Sequence, residues 1–143
     1  MDLCIDETTW GFGGHGGSIV GNLINKQKNR GGQSVLLLDV GTMLPRGVIH
    51  RTKEFKKYEK WDIGPSEVRR IVEDFIMDNV GPDKLWPNGK PHITADNFFT
   101  HEKLLKWLGE NGYRYLGTAA RDKLWKKIDK KYFHSLHSKN ISL

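Results

Sequence analysis

The run His92-Ile93-Thr94-Ala95-Asp96-Asn97 follows a turn-rich Pro87-Asn88-Gly89-Lys90-Pro91 and reads as a short strand that ends on two polar residues. Upstream, Ser66 is followed by Val68, Ile71, Val72, Phe75, Ile76 and Val80, an apolar stripe at helical spacing. Ser66 is the expected N-cap and Gly81-Pro82 the stop. A helix of that length leading into a strand is the expected crossover to a neighbour parallel to an earlier strand. The earlier strand is the alternation of Leu3 and Ile5 with Cys4 and Asp6. If the two strands lie side by side, their ends bring Asp6 and Asp96 together.

The remaining elements fit around that pair. Residues 11–32 hold eight of the sixteen glycines and read as a loop or irregular hairpin arm. Val35-Leu36-Leu37-Leu38-Asp39 reads as a buried strand, Gly41 as a turn, and Met43 to His50 as a strand that Pro45 pushes to an edge. Residues 51–65 are polar and charged, an expected exposed connector. Thr100 is the expected cap of a second helix carrying Leu104, Leu105 and Leu108 and closed by Gly112, and Tyr113 to Thr118 reads as a last strand. The order predicts an α/β fold: a three-strand meander, then helix, strand, helix, strand, in one mixed sheet.

Composition narrows the classes of function. The 143 residues make about one domain, 37 % hydrophobic and 28 % charged, which suits a packed core. The single cysteine, Cys4, cannot form an internal disulfide and no Cys/His zinc framework is present, which points to a reducing compartment. No apolar run suits a membrane span, and the first residues lack the order of a signal peptide. Of the net charge of +6, residues 121–143 carry +5, with seven Lys and Arg against Asp122 and Asp129. A basic tail on a near-neutral body suits nucleic-acid phosphates, and a solvated lysine-rich end is the bland alternative.

Two carboxylates converging at strand ends repel unless a cation lies between them, and a hard ion with oxygen ligands, Mg²⁺ or Mn²⁺, suits such a pair. Two such ions, ~3.5–4 Å apart, can activate an attacking oxygen and stabilise a leaving one in phosphodiester cleavage. The competing reading has Asp6 open a polar turn with Glu7-Thr8-Thr9 while Asp96 or Asn97 helps cap the next helix.

Ile5-Asp6-Glu7-Thr8-Thr9 before a glycine-rich segment, and Thr94-Ala95-Asp96-Asn97-Phe98-Phe99-Thr100 before a Leu-rich helix and Tyr115-Leu116-Gly117-Thr118, resemble piggyBac-type transposases. The resemblance implies a ribonuclease-H-like catalytic core over residues 1–120 and a basic tail over 121–143. Asp6 and Asp96 match the first two members of a catalytic Asp triad that binds two Mg²⁺ or Mn²⁺ ions for DNA strand cleavage and joining. Asn97 would orient the second acid, and Arg121, Lys123, Lys126 and Lys127 would contact DNA phosphate. The resemblance also implies a nuclear protein that works with further transposase domains or chains. The family's third aspartate belongs to a segment beyond the basic stretch, and the chain stops at Leu143 without it. Glu102, Glu110, Asp122 and Asp129 have no matching context, so the domain is expected not to complete catalysis alone.

Two other readings compete. One is a non-catalytic DNA-binding remnant that keeps the basic tail. The other is a nucleotide-binding oxidoreductase, because Gly11-Phe12-Gly13-Gly14-His15-Gly16 satisfies the dinucleotide fingerprint and Asp39 mimics its ribose-binding acid. Against it, Asp6 to Trp10 separate the first strand from the glycines, and Gly21 and Asn22 weaken a following helix. His134 and His137 read as solvated tail residues and Trp61 and Trp107 as core or lid. Tyr132 and Phe133, among lysines, are the better base-stacking candidates.

Overall fold

The computed structural model describes residues 2–11 and 31–118. Five strands form one mixed sheet: β1 (Asp2–Gly11), β2 (Gly31–Asp39), β3 (Pro45–His50), β4 (His92–Ala95) and β5 (Arg114–Gly117), in the order β3-β2-β1-β4-β5. β1, β2 and β3 pair antiparallel, whereas β4 runs parallel to both β1 and β5. Among the described residues two α-helices accompany the sheet, α1 (Ile63–Ile71) between β3 and β4, and α2 (Glu102–Glu110) between β4 and β5, which makes an α/β fold. This is the meander followed by helix, strand, helix, strand that the sequence predicts.

One sheet face builds the core. Leu3 and Ile5 of β1, Val35 and Leu37 of β2 and Ile93 of β4 are all buried, and they pack with Val68 and Ile71 of α1 and Leu104 and Leu108 of α2. Phe99, also fully buried, anchors the segment between β4 and α2 in the same cluster. Alternation therefore sends Cys4, Asp6 and Thr94 to the other face.

The boundaries differ from the sequence expectation where tertiary contacts override local signals. β1 does not end at Asp6 but runs to Gly11, with Glu7 to Trp10 paired against Val35 to Gly32. Thr8, Thr9 and Trp10 are strand-favouring types, and the antiparallel partner begins at Gly31 rather than Val35. Gly32 is needed there, because a Cβ would meet the Trp10 indole at 2.0 Å. β3 starts at Pro45 on the sheet edge, where a missing N–H is tolerated.

α1 begins at Ile63, not after Ser66. Pro65 falls in the first turn, where an absent N–H leaves no helical bond unmade. Ser66 is not the cap: it is fully buried, and its Oγ accepts the Tyr58 N–H at 3.2 Å. Beyond α1 the chain widens into a π segment at Val72–Ile76 and tightens into a 3₁₀ turn at Met77–Asn79. It stops at Gly81, whose φ of 132° favours glycine. The cap of α2 is His101, whose Nδ1 accepts the Lys103 N–H at 3.3 Å, and not Thr100.

Phe99→Ala empties a fully buried aromatic site that lies 5.2 Å from the Phe98 ring. It is expected to cost about 3–5 kcal/mol, measured as a lowered urea midpoint with an unchanged slope.

Candidate functional site

The parallel register of β1 and β4 ends at Ile5↔Ala95, and the next residue on each strand is Asp6 and Asp96. Adjacent strands lie ~4.8 Å apart, so the two carboxylates leave neighbouring backbones. They share the sheet face opposite Ile5 and Ile93, and both are exposed. Beyond this rung β1 stays paired with β2 as far as Gly11↔Gly31, while the chain after β4 turns away toward buried Phe99. The sheet therefore splits at the two aspartates. Each keeps one oxygen on a local backbone donor: Asp6 Oδ1 accepts the Glu7 N–H at 2.8 Å and Asp96 Oδ1 accepts the Phe98 N–H at 2.9 Å. Among the described residues, neither carboxylate has a cationic side chain paired with it.

The turn after Asp96 is fixed from behind. Thr100 Oγ1 donates to the Asp96 carbonyl at 2.8 Å and lies 2.9 Å from the Tyr115 hydroxyl. Gly117 leaves room for this contact, since a Cβ there would lie 2.2 Å from Thr100 Oγ1. Burial raises the Tyr115 pKa and the Asp96 carboxylate adds to the rise, while Thr100 opposes it. Asn97 is exposed, and the Asp96 carboxylate is held by the Phe98 amide rather than by the Asn97 side chain.

The residue that joins the two halves of the site from the core side is Arg51, which sequence reasoning places in an exposed connector. Its Nε and Nη2 donate to the two oxygens of Glu67 at 3.1 and 2.8 Å. Its Nη1 donates to Glu7 Oε2 at 3.1 Å and Gln33 Oε1 at 3.0 Å. The guanidinium also lies 5.1 Å from the Phe98 ring centre. Glu7 follows Asp6 and Phe98 lies just beyond Asp96, so one side chain touches both acid-bearing segments. Glu67 is fully buried, and burial lifts its carboxyl above the ordinary value; Arg51 opposes the rise and Glu7 reinforces it. Burial alone would lower the Arg51 pKa, but the carboxylates of Glu67 and Glu7 outweigh it and hold the charge in place. No short motif signals this cluster; the one hint is a glutamate inside an apolar helical stripe, which needs a buried partner.

Two oxygen donors with free lone pairs suit Mg²⁺ or Mn²⁺, which bind through one or two carboxylates and retain waters. A third protein ligand is not found: among the described residues no three His, Cys, Asp or Glu groups cluster to hold a metal. Glu102 and Glu110 sit at the two ends of α2. Arg121, Lys123, Lys126 and Lys127, with Asp122, Asp129, Tyr132, Phe133, His134 and His137, lie outside the described residues. Trp61 and Trp107 are half-buried against the core and flank Arg69, whose guanidinium lies 5.1 and 5.0 Å from their rings.

The dinucleotide alternative loses its frame. Gly11 does end a strand, contrary to the expected separation, and the rest of the glycine run lies outside the described residues. β1 and β2 are antiparallel, however, whereas that fingerprint requires a parallel βαβ unit. Asp39 is also committed: its Oδ1 accepts the Gly41 and Thr42 N–H groups at 3.0 and 3.3 Å, and its Oδ2 pairs with Arg46 at 3.1 Å.

The fold is similar to that of a piggyBac transposase solved by cryo-EM as a synaptic complex with hairpin DNA, with a TM-score of 0.66 and 22 % identity. The match covers 90 % of this chain and 24 % of that one, so the chain spans about a quarter of the transposase's length. No protein-family model matches the chain, and no curated protein matches it. What the chain and that transposase share is the α/β fold, here a five-stranded mixed sheet in the order β3-β2-β1-β4-β5.

Arg51→Met strands the buried Glu67 carboxylate and is expected to cost about 3–5 kcal/mol at neutral pH. Without Arg51, Glu67 keeps its proton to higher pH in the folded than in the unfolded chain, so folding stability falls as pH rises above the ordinary 4.5. Urea unfolding should show the deficit of the variant against the parent shrinking as pH is lowered toward that value; a deficit independent of pH would contradict this account.

Proposed function

We propose that this chain is a transposase-type DNA-processing domain in which Asp6 and Asp96 together hold a divalent cation, Mg²⁺ or Mn²⁺. The observation that carries the reading is the Ile5↔Ala95 register, which leaves two exposed carboxylates on adjacent parallel strands with no cationic side chain paired to them among the described residues. The similarity in fold to a transposase captured with hairpin DNA supports the same reading. When bound, the cation would supply Lewis-acid activation of an oxygen nucleophile and charge neutralisation at a phosphodiester. The chain's own residues supply placement. The Glu7 and Phe98 amides orient one oxygen of each carboxylate, and Arg51 keeps the two segments in register from the core side.

With two carboxylates in place, the domain binds the cation but needs a further acidic ligand, from elsewhere in a longer protein or from a partner chain, to cut and join strands. Arg121, Lys123, Lys126 and Lys127 extend the DNA contact to backbone phosphates, and the reading implies a nuclear site of action.

Mn²⁺ titration of the full chain, followed by calorimetry and by the loss of the free-ion EPR signal, should show saturable binding that weakens at least about tenfold in Asp6→Asn and in Asp96→Asn. Salt-sensitive DNA binding with no Mn²⁺ uptake would instead identify a DNA-binding remnant. Replacing Arg121, Lys123, Lys126 and Lys127 with Gln should make the slope of log K against log salt shallower by about 3–4 on duplex DNA. An unchanged slope would remove the tail from the interface.

A further inference from the structure

At the end of the sheet away from the aspartates, Asp2, His92 and Arg114 open β1, β4 and β5. The registers Asp2↔His92 and His92↔Arg114 place the three on one rung of the parallel strands. Alternation sets that rung on the same face as Asp6, four residues back along β1, or roughly 13 Å. With Lys90 and Gly112, these residues line a cavity of about 420 Å³.

The donors in this cavity are ordered. Arg114 Nη1 lies 3.3 Å from His92 Nε2, and His92 Nδ1 lies 3.5 Å from Asp2 Oδ1. A guanidinium can only donate, so Nε2 accepts and the ring proton sits on Nδ1, toward Asp2. The single carboxylate is thereby turned to the imidazole, and the remaining Arg114 N–H groups have no partner among the described residues. Lys90 Nζ donates to the Asn111 carbonyl at 2.5 Å and lies 5.1 Å from the Tyr113 ring centre, which fixes the ammonium beside the cavity with donors to spare. Gly112 makes space for it: its φ is 74°, and a Cβ there would lie 3.1 Å from Nζ. A planar fork of donors beside a point charge, with two permanent cations against one carboxylate, is the chemistry that recognises a tetrahedral oxyanion.

We propose that this cavity is a phosphate-binding subsite. Its ligand is either a phosphodiester of a nucleic-acid backbone lying along the sheet face or a free phosphate monoester, and the two present the same oxygens to Arg114 and Lys90. The subsite stands on its own residues and does not require a cation at Asp6 and Asp96.

The test is an NMR titration of the full chain with inorganic phosphate at constant ionic strength, read at Lys90, His92 and Arg114. Saturable shifts that chloride does not reproduce are expected, with affinity at least about tenfold weaker in Arg114→Gln and in Lys90→Gln, both exposed positions. Asp6→Asn should leave this binding unchanged, which separates the subsite from the proposed metal centre. Displacement of phosphate by a short oligothymidylate identifies the phosphodiester source. Displacement by phenyl phosphate but not by the oligonucleotide identifies the monoester. Non-saturable shifts, shifts matched by chloride, or equal affinity in both variants would overturn the proposal.

Discussion

A guanidinium bonded to a fully buried carboxylate is the constraint on which this architecture rests. Taking Glu67 out of water is costly, and the cost is offset only while Arg51 meets both of its oxygens. Because the same guanidinium also bonds Glu7 and Gln33 and lies against Phe98, satisfying Glu67 fixes α1, β1, β2 and the turn after β4 relative to one another. The value of such a pair lies in setting one arrangement more than in net stability. A shifted β1 would move Glu7 off the guanidinium and invert the faces of Leu3, Ile5 and Asp6 together.

The parallel pairing of β1 and β4 converts that arrangement into a site. In open α/β sheets, ligands gather outside the carboxyl ends of strands where neighbours part. Here the parting occurs at a defined rung: β4 ends at Ala95, β1 continues alongside β2, and Asp6 and Asp96 flank the opening. The Asp96 turn is shaped by Phe99, which enters the core, and by Thr100, which bonds the Asp96 carbonyl and meets Tyr115. The segment thus passes from three exposed residues, Asp96 to Phe98, to two buried anchors, Phe99 and Thr100.

The apolar pattern makes most of the fold legible in the sequence. Alternation at Leu3 and Ile5, the run at Val35 to Leu38 and the stripe from Val68 to Ile76 are consequences of one buried face per element, which any packed sheet with helices must satisfy. Boundaries were less legible. Ser66 has the chemistry of a cap, yet the helix starts earlier because Pro65 is compatible with a first turn and the buried Ser66 hydroxyl finds its partner in the Tyr58 amide. Thr100 likewise serves the Asp96 turn while His101 takes the capping position. The hydroxyl of a capping residue is satisfied by any suitable donor or acceptor, and only tertiary packing says which partner is near.

The sequence by itself determined the order of elements, the parallel crossover and the neighbouring placement of Asp6 and Asp96, because these follow from side-chain periodicity and from where apolar runs give way to polar residues; that Asp6 lies inside β1, with only the pairing to β4 ending beside it, came from the fold. Only the tertiary structure decided what surrounds the aspartates. Arg51, Glu7, Glu67 and Phe98 are distant along the chain, and a charge–charge or cation–ring contact leaves no periodic trace. The same holds for the rung of Asp2, His92 and Arg114, three unremarkable polar residues until strand register sets them side by side. Burial is written into a sequence as pattern, whereas the meeting of polar groups across elements depends on register and so on the folded chain.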